Sequence, residues 1–310
     1  MKKQLLIGIL SLFLLFTCKK DKKNSNYIPK KVIILVIDGP RYSETWGDFS
    51  QQYIPNQKEL SKKGVLYTSF YNNGGTYTNA GHVAITTGVY QTINNSGKEQ
   101  PRNPSIFQYF NERQQWNENA SWIIASKDKL EVLADCDLDP YNGNYNPKTN
   151  CGIAGNGSGY RSDAETMKVV FDVLRKKKPQ LTLINLKEPD VYGHTGNWNN
   201  YLLGIRQSDM YLKQLFDFIE THPAYKNNTY LFVTNDHGRH SNGIRDGFKS
   251  HGDGCEGCRH INLFAYGPHI KQGVAITRAR EQIDIPATVS SILGFEMPTG
   301  NGVVMSEMFD

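Results

Sequence analysis

The chain has 310 residues, 38% of them hydrophobic and 21% charged, enough for one large or two modest globular units with an ample core. No period of roughly 20–50 residues recurs, which excludes a solenoid. Residues 1–31 hold eight lysines and one aspartate, a balance of +7; the whole chain's +5 less that +7 leaves −2 for residues 32–310. The basic character therefore belongs to the N-terminus. The folded part lacks the basic excess of a nucleic-acid-binding surface, so no nucleic-acid partner is expected.

Residues 1–18, MKKQLLIGILSLFLLFTC, carry two lysines, an apolar run from Leu5 to Phe16 and then Cys18. The run is short for a bilayer span and has the layout of a secretion signal. A cysteine directly after such a run resembles the lipidated residue of bacterial lipoproteins. The expectation is an exported protein, periplasmic or anchored to the outer membrane, that meets the membrane only through a lipid at Cys18. Residues 19–31, KKDKKNSNYIPKK, are polar and without periodicity and read as a flexible basic tether. Residues 32–310 remain for a single folded unit.

In chain order, KVIILVID is a strand that ends on Asp38. GVLYTSF follows as a second strand, and a loop then leads to TNAGHVAITTG. There Ala80, Val83, Ala84 and Thr87 fall at helical spacing, with Thr78 as the expected N-cap. A helix over 104–115 precedes SWIIASKDK, a strand ending on Lys127 and Lys129. Residues 131–160 read as an inserted Gly/Asn/Pro-rich loop flanked by Cys136 and Cys151. A helix over 162–177, the strand LTLINLKEPD ending near Asp190, and a helix over 199–221 come next. TYLFVTNDH ends on Asp236 and His237, INLFAYGP is a further strand run ending on a turn, and 284–293 reads as a helix. The strand runs are continuous rather than alternating, as in strands buried on both faces of a parallel sheet. Strands alternating with helices give a three-layer α/β/α sandwich with a mainly parallel central sheet.

Ligands of open parallel sheets lie at the carboxyl ends of the strands, and here three strands deliver an aspartate to that edge. Buried without partners, these carboxylates would repel one another, and a divalent cation resolves the conflict. DVYGH spaces Asp190 and His194 by four, NDHG joins Asp236 to His237, and SHGDG places His251 on a glycine-rich loop. Mixed aspartate and histidine suits zinc or a similar ion. The even number of cysteines after Cys18 suggests disulfides in an exported chain. A zinc knuckle built on CEGC and the nearby His260 would lack the usual second CxxC pair.

Taken as a set, VIDG, TNAGHVAITTG, PDVYGH, NDHG and SHGDGCEGCRHINLFAYGP resemble the alkaline phosphatase superfamily over residues 32 to about 308. The similarity is to its threonine-nucleophile branches, the phosphodiesterase/nucleotide pyrophosphatases and the phosphate-irrepressible alkaline phosphatases. The resemblance implies an alkaline phosphatase-like fold and two divalent ions, most simply zinc. Asp38, Thr78, Asp236 and His237 would hold one; Asp190, His194 and His251 would hold the other, with His260 as the rival last ligand. Thr78 would be the nucleophile of an in-line displacement through a phosphothreonine, and Lys127 and Lys129 of SKDK would contact the phosphate. The implied substrate is a small phosphate ester. A monoester is favoured because two cations beside the site suit a dianion; a phosphodiesterase or nucleotide pyrophosphatase is the alternative. Sulfatase chemistry needs a Cys or Ser in C/S-x-P-x-R, which the sequence lacks. Phosphoryl-headgroup transferases normally carry a multi-span membrane domain, and a non-catalytic binding lipoprotein would have no use for so complete a ligand set.

Overall fold

The computed structural model describes residues 30–114 and 117–310. The leader, Cys18 and most of the tether lie outside the described residues. The elements are β1 Lys31–Ile37, α1 Pro55–Ser61, β2 Val65–Tyr71, α2 Thr78–Thr87, α3 Ile106–Arg113, β3 Ser121–Ala125, β4 Lys148–Cys151, α4 Asp163–Lys176 and β5 Leu181–Leu186. There follow α5 Asp190–His194, α6 Trp198–Thr221, β6 Thr229–Asn235, α7 Glu256–Arg259, β7 His260–Tyr266, β8 Val274–Ile276, β9 Arg280–Glu281 and α8 Asp284–Leu293.

The strands form one sheet in the order β4-β3-β5-β1-β6-β7-β2-β8, with β9 also pairing with β2. Every pairing is parallel except the two made by β7, which runs antiparallel to β6 and β2. β1 lies at the centre, and its whole length is buried. Its side chains alternate between two cores. Val32, Ile34 and Val36 face one core, which α2, α3 and α8 cover through Val83, Phe107 and Val289. Ile33, Leu35 and Ile37 face the other, covered by α4 and α6 through Val170 and Leu215. Each such side chain contributes roughly 1.5–3 kcal/mol when taken out of water. This two-sided burial makes the strand a continuous apolar run and the fold a three-layer α/β/α sandwich.

The helix starts follow local chemistry. Ser162 and Glu165 form a reciprocal capping box at α4, and Ser105 and Gln108 do the same at α3. The sequence reading missed β4, a short polar strand at the edge of the sheet beside β3. It lies within the expected inserted loop of 131–160. The tether boundary also moves: Lys31 is the first residue of β1, and its ammonium donates to the carbonyls of Lys178 (2.9 Å) and Pro179 (3.2 Å).

The expected disulfides are absent among the described residues: Cys136, Cys151, Cys255 and Cys258 are all free. Cys151 ends β4 inside the core, with its thiol toward the Ile123 carbonyl, whereas that of Cys136 lies against the Leu138 carbonyl. Both serve as small buried apolar groups. The 131–160 segment is braced instead by side-chain amides and carboxylates. Gln108 Nε2 donates to the carbonyls of Tyr141 (2.9 Å) and Asn144 (3.1 Å), and Glu131 accepts from Thr149 Oγ1 (2.9 Å) and the Asn156 N–H (2.7 Å).

Candidate active site

Parallel pairing with aligned register brings the strand ends together. Ile37 sits opposite both Leu186 and Asn235, so Asp38, Asp190 and Asp236 emerge on one edge. The ladder continues past the strands: the Asp38 N–H donates to the Leu186 carbonyl (3.0 Å) and the Asp190 N–H to the Asp38 carbonyl (3.1 Å). β3 ends at the same edge and delivers Lys127. The loop after β2 brings α2 over this edge. Gly81 allows the approach, because a Cβ there would lie 2.4 Å from the Asp236 carbonyl oxygen.

Asp38, Asp236 and His237 form a first group, all fully buried. The His237 Nδ1–H donates to the Gly238 carbonyl (2.8 Å), and burial pushes the imidazole pKa down to about 3. The ring is therefore neutral, with a lone pair on Nε2. That lone pair faces Asp236 Oδ2 at 3.3 Å and Asp38 Oδ1 at 3.5 Å. All three atoms lack a hydrogen-bond partner among the described residues. Three acceptors converging in a dry site repel one another, a conflict that a bound cation relieves. Burial and the Asp236 charge push the Asp38 carboxyl up to about 7, as expected of crowded carboxylates. The donor set fits one divalent ion, with Asp236 oriented through its other oxygen by the N–H groups of His237 (2.9 Å) and Gly39 (3.2 Å).

Thr78 comes close to this group but is not the expected N-cap. It is the first residue of α2, the N-cap is Tyr77, and no side chain caps the helix. The start of α2 is tied down by Asn95, whose Oδ1 accepts the Asn79 N–H (3.0 Å). Thr78 Oγ1 instead accepts from the Lys127 ammonium at 3.0 Å. Lys127 also reaches Asp190 Oδ2 (2.7 Å) and Asp38 Oδ2 (2.9 Å). Although burial opposes its charge, Asp190, Asp38 and Asp236 raise its pKa above the ordinary lysine value. Lys127 is thus a cation inside the carboxylate cluster, not one standing at an outer rim. Lys129 is nearly buried beside it; its backbone N–H donates to Asp128 Oδ1 (2.8 Å), but its ammonium has no hydrogen bond among the described residues, and burial and the Lys127 charge push its pKa down to about 8. Tyr160, from the 131–160 segment, holds its ring 5.8 Å from the Lys127 ammonium.

Asp190, His194 and His251 meet in a second group. His251 Nε2 lies 3.2 Å from His194 Nε2 and 3.3 Å from Asp190 Oδ1, and its Nδ1–H donates to the Thr76 carbonyl (2.8 Å). The rival His260 is elsewhere, stacked between Tyr42 and Tyr71 and bonded to the Thr68 carbonyl (2.8 Å). Unlike the first group, this one has its polar atoms satisfied. Buried Arg239 donates to Asp190 Oδ1 and, at 3.3 Å, to His194 Nδ1. Burial alone would raise the Asp190 pKa, but Lys127, His194, His251 and Arg239 outweigh it and hold the carboxyl well below the usual range.

With this geometry in view, the comparisons with known proteins are informative. The sulfatase family model matches residues 30–295. The chain belongs to the sulfatase family, within the alkaline phosphatase superfamily. No curated protein matches it by sequence. Among solved structures, the phosphonate monoester hydrolase of Silicibacter pomeroyi superposes with a TM-score of 0.63 at 14% identity, covering 90% of this chain and 76% of that one. Murine ectonucleotide pyrophosphatase/phosphodiesterase 5 does so at 0.63 and 16%, covering 91% and 100%. The lipoteichoic acid synthase LtaP of Listeria monocytogenes gives 0.64 and 15%, covering 92% and 77%. At these identities the likeness shows the fold alone.

Three residues of this sulfatase-family site escaped the sequence reading. His82 lies one helical turn below Thr78; its Nδ1–H donates to the Thr78 carbonyl (2.8 Å) and stands 3.4 Å from Asp236 Oδ2. Asn185, on β5, donates to Asp38 Oδ2 at 3.2 Å. The i,i+4 spacing of Thr78 and His82 was the available signal for the first. Asn185 had one as well, as a lone amide in an otherwise apolar strand. Arg239, directly after NDHG, carried none beyond its position.

Proposed function

We propose that this sulfatase-family protein is a metal-dependent hydrolase of phosphate esters with Thr78 as its nucleophile. The observation that carries the reading is the place of the Thr78 hydroxyl. It does no capping and accepts from buried Lys127, whose ammonium also holds Asp38 of the first group at 2.9 Å. Asp38, Asp236, His237 and Thr78 would hold one ion. Asp190, His194 and His251 would hold a second, and the oxygen and imidazole donors suit zinc. Divalent ions, when bound, supply the positive charge that makes a threonine hydroxyl ionisable and draws negative charge off a phosphoryl group.

The chain's own residues do the rest. The Thr78 hydroxyl gives its proton to solvent, and Lys127 stabilises the charge left on Oγ1; Oγ1 then bonds to phosphorus as the ester P–O bond breaks, and the leaving oxygen takes a proton from water. Water then cleaves the phosphothreonine. Lys129, buried and unpaired, is the cation left for a non-bridging oxygen. Arg239 on Asp190 favours a second reading, in which a single ion acts with Lys127 and Arg239 in place of the other. Sulfate esters are the less fitting substrate, since Thr78 stands where a formylglycine precursor would have to be.

The test compares kcat/KM on an aryl phosphate monoester, its matching diester and an aryl sulfate, with Thr78→Ala as blank. The monoester is expected to exceed the others by about 10²-fold or more, because only it presents a dianion to Lys129. An excess on the diester would move the assignment to a phosphodiesterase. Sulfate hydrolysis that survives Thr78→Ala would overturn it.

A further inference from the structure

A further cluster of metal-ligand side chains lies outside the candidate catalytic set. His240, Asp253, Cys255 and Cys258 each turn one donor atom inward, and these atoms all lie within 4.8 Å of one another. His240 Nδ1 is at their centre, 3.1 Å from Asp253 Oδ1, 3.3 Å from Cys258 Sγ and 3.5 Å from Cys255 Sγ. His240 and Cys258 are buried. Tetrahedral zinc, with bonds of about 2.0–2.3 Å, places its ligand atoms roughly 3.3–3.8 Å apart. The three distances from His240 Nδ1 lie near that range, and the remaining ones are no more than 4.8 Å.

The backbone around it is built to hold the four donors. The Gly238 N–H donates to the Cys258 carbonyl (2.8 Å) and the Arg239 N–H to the Gly257 carbonyl (2.9 Å), which clamps the CEGC turn onto the segment leaving β6. A Cβ on Gly238 would lie 2.0 Å from the Gly257 carbonyl oxygen, so the two segments touch backbone to backbone. Arg245 Nε holds Asp253 Oδ2 at 3.0 Å, while Oδ1, which also accepts the Cys255 N–H (3.0 Å), faces the cluster. Such outer partners orient ligands at metal sites.

We propose that His240, Asp253, Cys255 and Cys258 bind a structural zinc ion, separate from the candidate catalytic ions. Four protein ligands close the coordination sphere, as in structural rather than catalytic zinc. The ion would tie the two ends of the 241–254 loop. That loop carries His251 into the active site, where its Nδ1–H meets the Thr76 carbonyl, and Thr76 Oγ1 in turn donates to the Asp253 carbonyl at 2.7 Å. The zinc would therefore fix one wall of the site. CEGC draws its partners from His240 and Asp253, not from the sequence-adjacent His260.

Cobalt substitution tests this in the full chain, because cobalt bound by thiolate gives a ligand-to-metal charge-transfer band that the sulfur-free Asp/His groups cannot produce. The expected result is a charge-transfer band saturating at one cobalt per chain, kept in Asp38→Asn and reduced in Cys255→Ser. Cys255 is half-buried, so its serine variant retains the fold. Cobalt uptake without that band, or a purified chain in which Cys255 and Cys258 prove disulfide-bonded, would overturn the proposal. Neither result bears on Thr78, so the structural zinc and the phosphoesterase reading fail separately.

Discussion

Thr78→Ala is expected to lower kcat for phosphate-ester hydrolysis by at least about 10³-fold while leaving metal binding and stability nearly unchanged. The two halves of this expectation have separate causes. Asp38, Asp236 and His237 are untouched by the substitution, so the first metal group keeps three of its donors. Thr78 caps no helix, so the roughly 1 kcal/mol that an N-cap threonine contributes is not there to lose. A plain capping residue would give the reverse pattern, a loss of stability with activity kept. Steady-state kinetics, metal content and a thermal melt on one preparation decide between them.

The second large effect concerns Lys127. It is fully buried and is the cation that directly joins Asp38 and Asp190. Removing one partner of a buried ion pair costs about 3–5 kcal/mol, because the other charge is left uncompensated. Lys127→Met is therefore expected to lower the Tm of the metal-free protein by about 10 °C, given roughly 2–4 °C per kcal/mol for a chain of this size. A divalent ion compensates the same carboxylates, so zinc should recover most of the loss. Melts of both proteins in chelator and in zinc measure this. Equal shifts in the two conditions would mean that Lys127 and the ion do not share a cluster. The loaded variant also separates the two readings of the site. A loss of kcat is expected in both, because Lys127 donates to Thr78 Oγ1 in either case, and it should be the larger where a single ion acts with Lys127.

The architecture was legible because strands buried on both faces write themselves as unbroken apolar runs, and KVIILVI alternates between two cores exactly where a run of that kind must. The convergence of Asp38, Asp190 and Asp236 followed from parallel pairing alone. What the sequence hid was set by distances across the fold. Thr78 looks like a cap until Lys127 is seen on its hydroxyl. SKDK suggests two cations beside the site that both contact the phosphate, yet Lys127 lies inside the carboxylates and of the two only the Lys129 ammonium has no partner among the described residues. Arg239 reads as a surface residue, since arginine is seldom fully buried, but it neutralises Asp190. β4 was lost because a short polar edge strand, KTNC, has neither apolar run nor alternation. For CEGC the sequence offered only His260, a pairing set aside for want of a second CxxC, whereas the chain reversal clamped by Gly238 brings His240 to it.

The most direct test of the account is to trap the covalent intermediate. The zinc-loaded protein is mixed with an aryl phosphate monoester, quenched in acid within the first turnovers and digested, and the peptide spanning residues 74–88 is read by mass spectrometry. The account predicts a phosphoryl group on Thr78, absent from Thr78→Ala and from protein quenched before substrate is added. Multiple turnovers with no phosphothreonine at any quench time, or a phosphoryl group on another residue, would contradict it.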